Sequence, residues 1–530
     1  MPSALTFPGV YVEEIPSGVR TITGVATSIA AFAGFAPTGP VDKATAITSF
    51  ADFERIFGGI SHDYPLGFAV RDFYENGGTN AIIIRTYNKP AKTETGHLVA
   101  GDFKLDAVSP GTWAKNLRMR VDTDGITDQT ATDVGVTDKA HLYNLTVVVV
   151  DDLKNPVITE KYNLLTSEDK PNRVDRALAG SSLVKLISTP DKIPSPHPAP
   201  VAPKTTWEDP ASTGVNNTGD TKLGDSDAFW SAGVGSKSAH TGIYALDRVD
   251  LFNLLCLIPE TRDGDFDGSL SDALSYCVQR RAMLIVDPLH AWKSDADVQD
   301  ATNGISKLGI NGTNARNAAL YFPRIIEADR TQGGTKREFV PSGMIAGIMA
   351  RTDVSRGVWK APAGIDAGLS GALELTVPLN NDENGHLNPL GVNCLRTFPI
   401  IGNVVWGART MRGADLLADE YKYVPVRRLA LFLEESLYRG LQWVVFEPND
   451  EPLWSQIRLN VGAFLNGLFR QGAFQGGSPR DAYFVICDKT STTQNDINLG
   501  IVNVIVGFAP LKPAEFVVLK IQQMAGQIQT

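Results

Sequence analysis

Apolar and polar positions change rhythm four times along the chain. Residues 28–34 and 81–87 are apolar runs that read as strands, and the helical signal between them, 63–76, closes at Gly77-Gly78. From about 96 to 200 the runs shorten and turn β-branched, as at 145–150, with Asp, Asn and Gly between them; this predicts an all-β insertion. A proline-rich stretch ends it: Pro190, Pro194, Pro196, Pro198, Pro200 and Pro203 cannot be sheet interior, so an exposed loop or boundary is expected there. Between about 240 and 390, near-continuous apolar strands at 251–258 and 282–286 flank a helix at 271–281. That alternation predicts an α/β unit whose sheet is covered on both faces.

The final 140 residues carry the densest pattern. Residues 426–438 read as a helix stopped by Gly440, followed by a strand at 442–446. Asn449-Asp450-Glu451-Pro452 opens a long helix, 450–470, with Leu453, Ile457, Val461, Phe464 and Leu468 at the 3.6 period and Gly472 at its end. Strands come next at 482–487 and 501–506. Each terminus adds a solitary strand, 10–14 and 514–521, set off by Pro16-Ser17-Gly18 and by 510–513. Neither has a hairpin partner beside it, so its backbone must pair elsewhere, in its own subunit or in another copy. Donation to another copy is a heterologous contact, which closes rings or propagates as a helix.

Composition narrows the classes. A chain of 530 residues is long enough for three or four domains, and 43% hydrophobic with 20% charged residues is globular. Lys and Arg number 49 against 59 Asp and Glu, a net charge of −10 that argues against nucleic acid or an anionic membrane as partner. Cys256, Cys277, Cys394 and Cys487 form no CxxC pair and read as core packing in a reducing compartment. The first residues lack a basic and apolar leader, so cytoplasmic synthesis without Sec secretion is expected. The longest low-polarity stretch, 24–36, falls short of the ~20 residues of a membrane helix, so no direct membrane insertion is expected.

Candidate chemistry is thin. Asp263, Asp265, Asp267 and Gly268 match half of an EF-hand loop, but position 12 is Leu274, leaving a hydrated acidic loop or at most a weak ion site. Gly233 to Ser238 lacks the spacing of a phosphate loop. Asp287 and His290 follow an apolar strand, where strand-end capping is expected rather than catalysis. Arg427-Arg428 and Glu434-Glu435 share one helix and read as a solvated face of mixed charge. No catalytic residue, cofactor site or metal site is expected.

Several motifs resemble the contractile tail sheath family of phages, pyocin-like particles and injection systems: Pro8-Gly9-Val10-Tyr11-Val12-Glu13-Glu14, Trp406-Gly407-Ala408-Arg409-Thr410, Tyr423-Val424-Pro425-Val426-Arg427-Arg428, Gly440 to Asp450, Cys487-Asp488 with Thr492 to Asp496, and Lys512 to Val517. The resemblance covers about 1–95 and 390–525, with 96–390 matching in layout. It implies a non-enzymatic subunit of hexameric rings stacked helically around an inner tube, with baseplate and terminator or cap proteins as further partners. The implied fold is α/β plus β and multidomain: an N-terminal arm (1–22), a conserved core (23–95), an outward β-sandwich insertion (96–205), a subtilisin-like α/β domain without a triad (206–390), a tube-facing α+β C-terminal domain (391–509) and a C-terminal arm (510–530). Implied strand donors are Val10, Tyr11, Val12, Glu13, Glu14 and Glu515, Phe516, Val517, Val518, Leu519. The implied acceptor is Tyr483, Phe484, Val485, Ile486, Val502, Val504 and Ile505. Asp450, Glu451, Arg458 and Arg470 on the long helix are candidate tube contacts. A joint over residues 15–27 would reach at most about 45 Å, tethering subunits that move. A subtilisin-like hydrolase and a β-rich adhesin remain the alternatives.

Overall fold

The computed structural model describes residues 20–86, 96–188, 193–213, 234–265 and 270–521. Its centre is an eight-stranded sheet in the order Gly402–Val405, Val392–Phe398, Ala318–Phe322, Met283–Val286, Leu254–Leu257, Ala30–Gly34, Ala81–Arg85, Thr45–Ile47. The six inner strands run parallel and the two edge strands antiparallel. Buried on both faces, the inner strands need no polar alternation, which is why they are continuous apolar runs. Ala30 and Phe32 point into one hydrophobic cluster, and Ala31 and Ala33 into the other. One sheet thus draws strands from the segments expected as 23–95, 206–390 and 391–509.

Helices Leu66–Glu75 and Ser342–Arg356 lie together on one face. A Cβ on Gly343 would stand 2.2 Å from the Ala69 carbonyl oxygen, and one on Gly347 would stand 2.5 Å from that of Phe73, so the two glycines set the approach. Residues 97–188 form two three-stranded antiparallel sheets, with short helices at Asp128–Asp133 and Val174–Leu178, and the sheets share a cluster of Phe103, Leu105, Leu117, Met119, Val121, Tyr143 and Leu145. Arg118 and Arg120 alternate outward between Leu117, Met119 and Val121. The described part of the proline-rich stretch carries no ladder, and His197 hydrogen-bonds with the backbone of Val121.

Helices Val424–Gly440 and Glu451–Arg470 begin with Pro425 and Pro452 in their first turns. They enclose a separate cluster with Ile22, Leu429, Leu433, Trp454, Ile457, Val461 and Leu465. Gly440 does not stop its helix: it is the last helical residue, and a Cβ there would stand 2.6 Å from Ile22. The strand expected at 442–446 is a single turn, Gln442–Val444, because Trp443 and Val444 pack inward and no ladder partner lies alongside among the described residues. Short apolar runs do not distinguish the two.

Charge inside the fold departs from the expected solvated helix face. The side chains of Arg428 and Asp353 are both buried, joined at 2.9 and 2.6 Å, and Thr27 Oγ1 donates to the same carboxylate at 2.6 Å. Glu435 is buried between Arg281 (2.9 Å) and Arg439 (2.7 Å), and Arg439 continues to Asp250 at 2.7 Å. Arg427 and Glu434 form an outer pair, at 3.2 Å. Asp287 accepts from the Ser342 backbone N–H at 2.9 Å, and its other oxygen has no hydrogen-bond partner. Burial pushes this carboxyl up to about 7 against the Ser342 bonds and Arg324. Its neighbour His290 pairs with Glu338 at 3.0 Å. All four cysteines are buried.

Candidate assembly interface

The C-terminal segment presents a two-stranded antiparallel ribbon, Tyr483–Ile486 against Ile505–Phe508, in register from Tyr483–Phe508 to Ile486–Ile505. It starts later than the sequence suggests. Residues 501–504 form no ladder: Asn449 Nδ2 bonds the Ile501 carbonyl, Thr492 Oγ1 takes the Asn503 N–H, and Val502 and Val504 pack into the helical cluster. Of the residues expected as acceptor, Val502 and Val504 therefore precede the second ribbon strand, and Ile505 opens it.

Two strands alone make a marginal sheet. This one leans on helix Glu451–Arg470, with Asn466 Nδ2 donating to Tyr483 Oη at 3.2 Å, yet Phe484 and Ile505 stay half exposed. Among the described residues no third strand joins either edge. Free edges of this kind are templates for added strands.

Immediately beyond lies the C-terminal arm, without a ladder from 511 to 521. Phe516, Val517, Val518 and Leu519 are 74–83% exposed, a contiguous apolar run left uncovered by the described residues of the single chain. Glu515 differs from its neighbours. Its carboxylate receives Arg409 Nε at 2.8 Å and Nη2 at 2.5 Å, plus Tyr423 Oη at 3.2 Å. A groove of about 1020 Å³ runs beside it, lined in part by Trp359, Arg396, Trp406, Lys512 and Phe516.

The N-terminal strand 10–14 and the Pro16-Ser17-Gly18 joint lie outside the described residues. From Arg20 onward the chain is fixed and forms no joint. Arg20 donates its backbone N–H to Asn460 at 3.1 Å and stacks on Trp443 at 4.6 Å, Ile22 is buried at Gly440, and Val25 donates to Ser436 Oγ at 3.2 Å. Residues 20–27 are thus held by the two long helices, and any tether must end before Arg20.

On helix Glu451–Arg470 the predicted stripe is buried at Leu453, Ile457, Val461 and Leu468, with Leu465 rather than Phe464 as its fourth deep position. Asp450, Glu451 and Arg470 are exposed. Arg458 is tied down instead, to Glu451 at 2.6 Å and to the Cys487 carbonyl. Asp265 Oδ1 receives Arg324 at 2.8 Å and the His290 backbone N–H; Asp267 lies outside the described residues. Sequence reasoning missed Arg409 and Tyr423 as partners of the arm, although both sit in the sheath-like motifs at 406–410 and 423–428, because a contact across 106 and 92 residues leaves no periodic trace.

Two family models match: the phage tail sheath protein central domain over 280–411, and the phage tail sheath C-terminal domain over 418–524. The tail sheath protein of Vibrio phage KVP40 is 24% identical over 278 residues, covering 52% of this chain and 38% of that protein. That of Enterobacteria phage T4 is 26% identical over 155 residues, covering 29% and 22%. The chain thus spans well under half the length of these curated relatives. Among solved structures, the contracted sheath complex of the extracellular contractile injection system PVC matches over 98% of both chains, with a TM-score of 0.57 at 21% identity. The contracted helical sheath of the anti-feeding prophage matches over 98% and 100%, with 0.56 at 22%. The sheath tail protein of Desulfitobacterium hafniense matches over 95% and 100%, with 0.57 at only 10%, a likeness of fold. The central and C-terminal domains of phage tail sheath proteins thus match this chain in sequence order, on a mixed α/β, multi-sheet fold that it shares with contractile sheath proteins.

Proposed function

We propose that this chain is the subunit of a contractile sheath, stacked in hexameric rings around an inner tube and meeting baseplate and cap proteins at its ends. The observation that carries this reading is the pairing of an open-edged ribbon, 483–486 with 505–508, and a bare apolar arm beyond it in the same chain. Residues 10–14 and the run from Phe516 to Leu519 add strands to ribbons on neighbouring subunits. Backbone ladders supply the affinity, and alternate side chains set the register. Each ladder bond contributes about 1 kcal/mol net, with the burial of Val and Phe area added.

Such links persist while subunits rotate past one another. The extended sheath is then a metastable state, and contraction releases energy held in the assembly without nucleotide hydrolysis. The middle segment has a subtilisin-like layout serving as scaffold, the 96–205 insertion faces outward, and the C-terminal segment faces the tube through the exposed side of helix Glu451–Arg470. Asp450, Glu451 and Arg470 supply charge there that can release. The particle is a phage tail or an injection machine assembled from cytoplasmically made protein. Deleting Met1 to Glu14 tests the exchange: folded subunits without striated tubes in negative stain are expected. Full-length, contractile tubes from that deletion would refute it.

A further inference from the structure

The C-terminal arm is apolar and bare from Phe516 to Leu519, but at its root sits a fully buried guanidinium. Arg409 grips Glu515 through two nitrogens, and its third donor group serves the Asn388 carbonyl at 2.8 Å and Asp415 at 3.0 Å. The Arg409 backbone is itself bolted down. Its N–H donates to Asn393 Oδ1 at 2.6 Å, while Asn393 Nδ2 donates to the Arg409 carbonyl at 2.8 Å and to that of Leu320 at 3.0 Å. Asn393 and Leu320 belong to adjacent parallel strands of the core sheet. A continuous chain of hydrogen bonds therefore runs from the arm through Glu515, Arg409 and Asn393 into the central sheet of the subunit.

We infer that the Arg409–Glu515 pair is the clamp at which the load on the exchanged strand enters the core sheet, and that the donated segment begins at Phe516, with Glu515 held at home. This rests on the reading of the arm as an exchanged strand. A bidentate guanidinium–carboxylate pair fixes direction as well as distance, which a single point charge does not. Fixing the root shortens the freely moving chain to the donated residues. The effective concentration of the strand at its neighbour's ribbon rises accordingly. Without the clamp the arm would hang from residues 509–510, where Gln475 N–H reaches the Ala509 carbonyl at 2.9 Å and Phe474 bridges Pro510.

The test compares four variants of the full chain by melting of the isolated subunit and by the lowest concentration that gives tubes in negative stain. Glu515→Gln removes the arm's charge and keeps its shape; the expected result is a folded subunit needing about tenfold more protein to form tubes. Tyr423→Phe removes only the third bond to Glu515 and should raise the threshold about threefold. Asp415→Asn takes a carboxylate from the same arginine without touching the arm, and its threshold should stay within about twofold. Val518→Asp spoils the strand beyond an intact clamp and should abolish tubes. A wild-type threshold for both Glu515→Gln and Tyr423→Phe, with Val518→Asp inactive, would overturn the clamp and leave strand exchange standing. Equal thresholds for Asp415→Asn and Glu515→Gln would also overturn it, by assigning the effect to the charge balance around Arg409. Normal tubes from Val518→Asp would sink the exchange itself. Should Glu515→Gln fail to fold, Tyr423→Phe and Asp415→Asn decide alone: a raised threshold for the first only supports the clamp, and any other pattern overturns it.

Discussion

Along the seam between helix Val424–Gly440 and the core, Arg428, Arg281 and Arg439 all find carboxylates on a different segment, two of them buried. On the ribbon and arm a short distance further in sequence, Phe484, Ile505 and the run from Phe516 to Leu519 face outward. The first region is closed within one chain. The second leaves backbone edges and apolar side chains uncovered by the described residues. The sheath proposed above would need both, a body that does not deform and edges that stay joined, and the two regions are built from different chemistry. Buried ion pairs fix geometry at a desolvation cost, whereas open backbone edges and apolar strands gain only when a partner arrives.

Breaking the seam should have the largest effect on the isolated subunit. Burial holds the Asp353 carboxyl above its ordinary range despite Arg428 beside it, so the pair is a geometric lock more than a source of net stability. Arg428 Nη2 also donates to the Thr27 carbonyl at 2.9 Å, so Arg428→Ala leaves that carbonyl and the Asp353 carboxylate without the arginine and should cost about 3–5 kcal/mol in denaturant unfolding. The double replacement Arg428→Met with Asp353→Leu removes both charges together and should come within about 1 kcal/mol of wild type. Equal losses in the two would mean that the attraction itself, and not the geometry, carries the seam.

Asp287 sharpens the same point from inside the core. Its folded value of about 7 lies above the ordinary 3.8. An acid raised in this way favours the unfolded chain once it ionises: there is no penalty below about pH 4, a growing one up to about 7, and the full one beyond. Asp287→Asn keeps an oxygen for the Ser342 N–H and should stabilise the subunit at pH 8 by a few kcal/mol at most, since each tenfold change in proton affinity is worth about 1.4 kcal/mol. At pH 4 it should do nothing. A melting difference that is the same at both values would place the effect in packing.

The sequence carries the two regions unequally. The inner strands 30–34, 254–257 and 283–286 and the helix Glu451–Arg470 were legible because burial on one or both faces imposes a period that the residues must obey. The strands at 117–122 and 143–150 follow the same rule, with buried and half-buried positions in near alternation. The strand at 442–446 and the ribbon's start at 501 were not, since a few apolar residues fit a turn packed on a helix as well as a ladder. The buried pairs Arg428–Asp353 and Arg409–Glu515 were invisible too. Arg427 and Arg428 are adjacent and alike on paper, and only the helix phase against the core, set by distant segments, sends Arg428 to a buried carboxylate and Arg427 to the half-exposed Glu434.

The smallest effect expected on the single subunit is the one that separates the regions most cleanly. Truncating the chain after Glu515 removes Phe516, Val517, Val518 and Leu519, four large apolar side chains that in a core would each stabilise by about 1.5–3 kcal/mol. Here they are 74–83% exposed and add almost nothing, so unfolding of the truncated subunit should match the full chain within about 0.5 kcal/mol. Its exposed apolar surface falls, so it should also stay monomeric to higher concentration and bind less of a hydrophobic dye. A loss of more than about 2 kcal/mol would mean that the arm packs on its own subunit, and the division between a closed body and an open edge would have to be redrawn.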